Sequence, residues 1–166
     1  MMIFGAGHVA QPLSLFAKEL GFRVVVADAR ASWATEDRFP HADELIVAWP
    51  DKVFDHIDVD QRTYVVLLSH DSRFEIPVLN AVHRSSARYV GAMGSRRTHR
   101  MRVDRLLADG WTQDEVDQIH GPIGLDLKAQ TPAETAISIL AEIVRVRYGA
   151  GTALSLRGTD EPIHLA

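Results

Sequence analysis

Gly5-Ala6-Gly7-His8-Val9-Ala10 has the G-x-G-x-x-A spacing of a phosphate-binding turn. The first Gly permits a tight turn, the second lets backbone N–H groups approach a phosphate, and the small third residue lets helix and strand pack closely. Asp28 stands 21 residues past Gly7, at the end of the next apolar run, where a carboxylate can accept hydrogen bonds from ribose hydroxyls. This reading makes Gly5, Ala6, Gly7, His8, Val9 and Asp28 candidates for binding a nucleotide or dinucleotide. The bland alternative is a glycine turn that only packs a helix on a sheet, with an exposed Asp behind it. Arg30 follows two residues after Asp28; it can stack on an adenine, meet a 2′-phosphate or simply be solvated, so NAD and NADP stay undistinguished.

Two further turns follow apolar runs. Ser69, His70 and Asp71 come after the run 63–68, where open α/β sheets place ligands. Adjacent residues cannot face one another as a hydrolase triad does, so serine-hydrolase chemistry is rejected. Asp71 reads equally well as a ligand-facing group and as the cap of the next helix. Gly91-Ala92-Met93-Gly94-Ser95-Arg96-Arg97 is a second candidate anion site, with Gly94 for close approach, Ser95 as cap, and Arg96 and Arg97 as charge partners. The later Arg100, Arg102 and Arg105 read as a solvated helix face in a chain with 15 Arg and 3 Lys. His120-Gly121-Pro122-Ile123-Gly124-Leu125-Asp126 is turn-rich, and backbone turning accounts for its composition. His8, His70 and His120 lack metal-ligand spacing, so no metal site is expected.

The elements that must position these groups alternate. Strand-like runs are 2–4, 22–27, 44–47, 63–68 and 88–90, several of them continuously β-branched, as expected of strands covered on both faces. Val9, Leu13, Phe16, Ala17 and Leu20 share one helical face, and Gly21 sits where the helix should stop. The pattern predicts a Rossmann-like α/β three-layer sandwich with a mostly parallel sheet and a more helical C-terminal part. Residues 95–108 read as a helix, and Thr112 with Glu115 forms a capping-box pattern. Thr131-Pro132-Ala133-Glu134 opens a helix whose apolar face carries Ala133, Ala136, Ile137, Leu140, Ala141 and Val144, widened by Ile139, Ile143 and Val146. So broad a face implies burial on more than one side. Residues 1–150 are expected to form one domain, with 151–166 a loosely held tail.

Composition narrows the classes. With 166 residues, 46% hydrophobic and 24% charged, one globular domain is expected. A net charge of −4 gives no electrostatic reason to bind nucleic acid. The absence of Cys excludes disulfides, thiolate metal sites and a cysteine nucleophile. Apolar runs fall far short of the roughly 20 residues that span a membrane. Met1 to Phe4 run straight into the glycine motif, so no signal peptide is expected, and the domain is expected to be cytoplasmic.

Taken in order, residues 4–13, 21–30, 38–44, 69–71, 88–97, 120–126 and 131–142 resemble the C-terminal domain of the XdhC/CoxI family, the xanthine dehydrogenase accessory proteins. Each motif alone is common; the ordered set, from about 4 to 147, covers nearly the whole chain. The resemblance implies a Rossmann-like domain in a factor that binds molybdenum cofactor (molybdopterin). Such factors support its maturation and insertion into molybdenum hydroxylases such as xanthine dehydrogenase. It implies a non-catalytic carrier whose partner is the apoenzyme. Larger members add an N-terminal domain with a Gly-Gly-Cys-type motif, which this sequence does not contain. A separate N-terminal-type subunit and a homodimer partner are therefore further expected occupants of the apolar helix face. The competing reading is an NAD(P)-dependent oxidoreductase; it lacks a Tyr-x-x-x-Lys pair, leaving His70 as the proton donor to test. A third, an S-adenosylmethionine methyltransferase, is disfavoured by two anion-suited turns facing a ligand with no phosphate.

Overall fold

The computed structural model describes residues 1–69, 71–83, 85–158 and 163. Six parallel strands form one sheet in the order β3-β2-β1-β4-β5-β6. They are β1 (Met2–Phe4), β2 (Val25–Ala27), β3 (Glu44–Ile46), β4 (Tyr64–Leu67), β5 (Tyr89–Ala92) and β6 (Ile119–His120). This is the doubly wound Rossmann order, with the chain reversing direction across the sheet between β1 and β4. The register pairs Ile3 with both Val26 and Val66, so β1 sits at the centre.

The β-branched runs are explained by the layers on either side. Ile3, Val24, Val26 and Val66 point to one face, where α1 (Ala10–Glu19) and α6 (Pro132–Tyr148) cover them. Met2, Phe4, Val25, Val65 and Leu67 point to the other, against α2 (Pro50–Val53), α3 (Ser72–Val82), α4 (Arg96–Ala108) and α5 (Gln113–Asp117). Central strands sandwiched this way have no polar face to display. The one-turn helix α2 and the two-residue β6 are too short to leave a periodic signature in the sequence.

Both capping boxes form: Thr112 with Glu115, and Thr131 with Glu134, each side chain meeting the other's backbone N–H. Thr131→Ala is expected to lower stability by about 1 kcal/mol, measurable by chemical denaturation. α6 buries Ala136, Ile139, Leu140 and Ile143 fully against the sheet and α1, whereas Ile137 is 51% exposed. The broad apolar face therefore divides in two. One stripe lies in the core; the other, Ile137, Ala141 and Val144, lines a shallow groove with Phe16, Leu20, Ala153 and Leu154. Among the described residues no helix is long and apolar enough to cross a membrane.

Candidate functional site

At the C-terminal ends of β1, β2 and β4 the backbone ladder continues past the strands, through Gly5 N–H to Ala27 O (2.8 Å) and Leu68 N–H to Phe4 O (2.8 Å). These bonds press the glycine turn against the end of β4. Gly5 has φ +103°, and a Cβ there would stand 3.1 Å from Ser69 N, so both conformation and space require Gly. Gly7 differs: a Cβ would meet nothing within 4 Å, because the residue borders an open cleft. α1 starts only at Ala10, whose N–H is bonded to Gly7 O (3.2 Å). The N–H groups of Gly7, His8 and Val9 meet no acceptor among the described residues. Three successive free donors at a helix start are the arrangement that suits an anion.

The cleft has a volume of about 950 Å3 and is lined by Gly5, Gly7, His8, Val9, Asp28, Arg30, Ser69 and Asp71 from the sequence candidates. Such a volume suits a small-molecule or cofactor-sized ligand. Trp33, Phe74, Pro50 and Met93 add apolar wall. Ala6 is fully buried behind the turn. His70 lies outside the described residues. Gly94, Ser95, Arg96 and Arg97 are not among the lining residues: Ser95 caps α4 by accepting from Thr98 N–H (3.0 Å), and Arg96 and Arg97 are exposed. Asp126 is exposed and pairs with Lys128 at 2.7 Å, which holds its carboxyl below the ordinary range.

Asp28 is 7% exposed although it ends a strand at the cleft. Burial opposes its charge, but the Arg30 guanidinium and the N–H groups of Arg30 and Ala6 outweigh that and lower its pKa. Arg30 lies 4.4 Å from the centroid of the Trp33 ring, and Arg38 lies 4.7 Å from it, while His8 meets the same ring edge-on. Asp71 repeats the motif on the other side of the turn: it caps α3 through Arg73 N–H (2.9 Å) and pairs with the Arg73 side chain (2.6 Å), which lowers its pKa. Ser69 Oγ accepts from Asp71 N–H at 3.1 Å, so this loop is bonded within itself.

Sequence reasoning places Arg102 on a solvated face; the structure buries it to 4% exposure. Its Nε donates to the Glu75 carboxylate, its Nη2 to Met93 O (2.8 Å), and its Nη1 faces His99 Nδ1 (3.0 Å). The pair joins α3 to α4, and the bond to Met93 O ties α4 to the β5–α4 loop, whose Met93 lines the cleft. Its partner lies 27 residues earlier, out of reach of helical periodicity. Trp49, 54% exposed, stacks at 4.8 Å on Phe74 at the rim, a contact likewise invisible before folding.

The family model described as the XdhC Rossmann domain matches residues 1–143. The chain belongs to that family. It is 31% identical over 147 residues to a protein of Bacillus subtilis (strain 168) named as a probable xanthine dehydrogenase subunit, covering 89% of this chain and 42% of that one. It is 43% identical over 89 residues to the molybdenum cofactor insertion chaperone PaoD of Escherichia coli (strain K12), covering 54% of this chain and 28% of the relative. A crystal structure described as a xanthine dehydrogenase from Bacillus halodurans superposes with a TM-score of 0.78 at 32% identity, over 93% of this chain and 44% of that one. The chain thus spans less than half the length of these relatives.

Proposed function

We propose that this XdhC Rossmann domain holds molybdenum cofactor during its maturation and delivers it to a molybdenum hydroxylase of the xanthine dehydrogenase type. The observation that carries this reading is the 43% identity, over 89 residues, to a protein named as a molybdenum cofactor insertion chaperone. The cleft is compatible with it. The free N–H groups of Gly7, His8 and Val9 suit the phosphate of the pterin, and Pro50, Phe74 and Met93 give the cleft apolar wall. With no Cys in the chain, it offers the metal no thiolate ligand of its own. Once delivered, the cofactor supplies the metal-centred redox chemistry of the hydroxylase. This chain's part is to hold the ligand at the strand ends, shield it and dock on the apoenzyme, alone or with a separate N-terminal-type subunit. The relatives do not favour the NAD(P)-dependent oxidoreductase.

The test is to co-produce the chain with molybdenum cofactor, purify it and quantify released pterin. The complex is then mixed with apo-hydroxylase and the activity recovered is measured. Stoichiometric pterin and activation of the apoenzyme are expected, and the absence of both sinks the reading. Gly7→Trp should fold, since its side chain enters open space, yet reduce cofactor retention by about tenfold or more, a loss of at least ~1.4 kcal/mol. Retention equal to wild type in this variant would remove the ligand from the cleft.

A further inference from the structure

The acid at the end of β2 is usually the group that reads a ribose diol in this fold. Here its acceptors are occupied. An ionised carboxylate offers about four lone-pair positions. Asp28 Oδ2 accepts from Ala6 N–H (2.8 Å) and Arg30 Nη2 (2.7 Å), and Oδ1 accepts from Arg30 N–H (2.9 Å) and Arg30 Nε (2.9 Å). The Asp28 side chain is only 4% exposed, whereas that of Arg30 is 52% exposed and lies over Trp33. Asp71, on the opposite side of the turn, is engaged in the same way by Arg73. The Asp28 carboxylate is thus turned inward as an orienting group, whereas that of Asp71 stays 35% exposed beside Arg73. What faces the ligand is donors: backbone N–H groups, and the Arg30 guanidinium with both Nη1 hydrogens uncommitted among the described residues.

We propose that Arg30 is the specificity-determining residue of this cleft, and that it selects ligands placing a phosphate or similar oxyanion, rather than a free vicinal diol, against the end of β2. This goes beyond the cofactor-carrier reading, which puts the pterin phosphate at the glycine turn, and rests on it in one respect: the cleft must be where the ligand sits. Asp28 acts through Arg30. It fixes the guanidinium plane and, through Ala6 N–H, locks that plane to the glycine turn. A planar, pre-oriented fork loses little freedom when it meets a phosphate. A diol brought to the same place could accept from the guanidinium, but its own two hydrogens would find the Asp28 oxygens already engaged.

The experiment compares two redox-inert probes that differ only at this position, ADP-ribose and 2′-phospho-ADP-ribose, by titration calorimetry of the wild-type chain, Arg30→Met and Arg30→Lys. The wild type is expected to bind the phosphorylated probe about tenfold or more tightly, the scale of a charge-assisted hydrogen bond. Arg30→Met should bring the two affinities to near equality. Arg30→Lys, which keeps a cation for Asp28 and so guards against misfolding, should give an intermediate ratio. Equal or tighter binding of ADP-ribose by the wild type, a preference that survives in both variants, or no binding of either probe overturns the proposal. Retained pterin, measured separately on the wild type, tells failure of this specificity apart from failure of the carrier reading.

Discussion

Arg102→Met is expected to lower the unfolding free energy by about 3–5 kcal/mol, the usual cost of removing one partner of a buried ion pair. Glu75 and Arg102 are 5% and 4% exposed, so no water replaces the lost guanidinium. The variant leaves a buried carboxylate without its cation and deprives Met93 O of its donor. Burial alone pulls the Arg102 pKa down to about 10, so the group is still charged at neutral pH and the loss is that of a full charge. Replacing both partners, Glu75→Met with Arg102→Met, should recover most of the loss, because two apolar side chains of similar length remove the unpaired charge. The thermodynamic cycle is read by denaturant unfolding. A single-variant loss under ~1 kcal/mol, or a double variant no better than the single, would show that the pair is not what holds α3 to α4.

That pair also marks how far the sequence could be read. The glycine turn, α1 and its Gly21 stop, and the two capping boxes are local patterns, written within a dozen residues and recoverable from spacing. The parallel sheet followed from β-branched runs that tolerate no polar face. Arg102 was illegible because its partner is on another helix, and five Arg within ten residues look like a hydrated surface. The orientation of Asp28 lay between these cases. An Asp two residues before an Arg is a local signal for a carboxylate turned back on its own loop, and Asp60 with Arg62 and Asp71 with Arg73 repeat it. The second contact, from Ala6 N–H, exists only once β1 and β2 are paired. Arg96 and Arg97 were singled out by their place after a Gly-Ser turn, but the side chains at a helix start are directed by its axis, and α4 carries them away from the cleft lining.

The turn 120–125 reads as punctuation, and the structure makes it one end of a polar network that includes a buried carboxylate. Glu142 on α6 accepts from Tyr89 Oη (2.6 Å) and from Gly124 N–H (3.0 Å), and its other oxygen lies 3.5 Å from His120 Nδ1. Burial raises the Glu142 pKa, but the hydrogen bonds from His120, Tyr89 and Gly124 outweigh it, and the net shift is downward from 4.5. Burial and the facing carboxylate push the Tyr89 phenol far above its ordinary range, so it remains a donor. A carboxyl whose pKa is lower folded than unfolded contributes stability that is complete above its unfolded pKa. That contribution is lost as pH falls through the folded value, because the unfolded chain then binds the extra proton. Glu142→Gln is therefore expected to cost about 2 kcal/mol at pH 7, the scale of hydrogen bonds to a charged acceptor. The gap to wild type should narrow as pH falls below about 4.5, where protonation removes the same charge from the wild type. Other carboxylates also titrate there, but they are common to both proteins and cancel in the difference. Denaturant unfolding of both proteins from pH 7 down to pH 3 measures it. Parallel stability curves would mean that the charge on Glu142 is not what joins α6 to β5 and the turn.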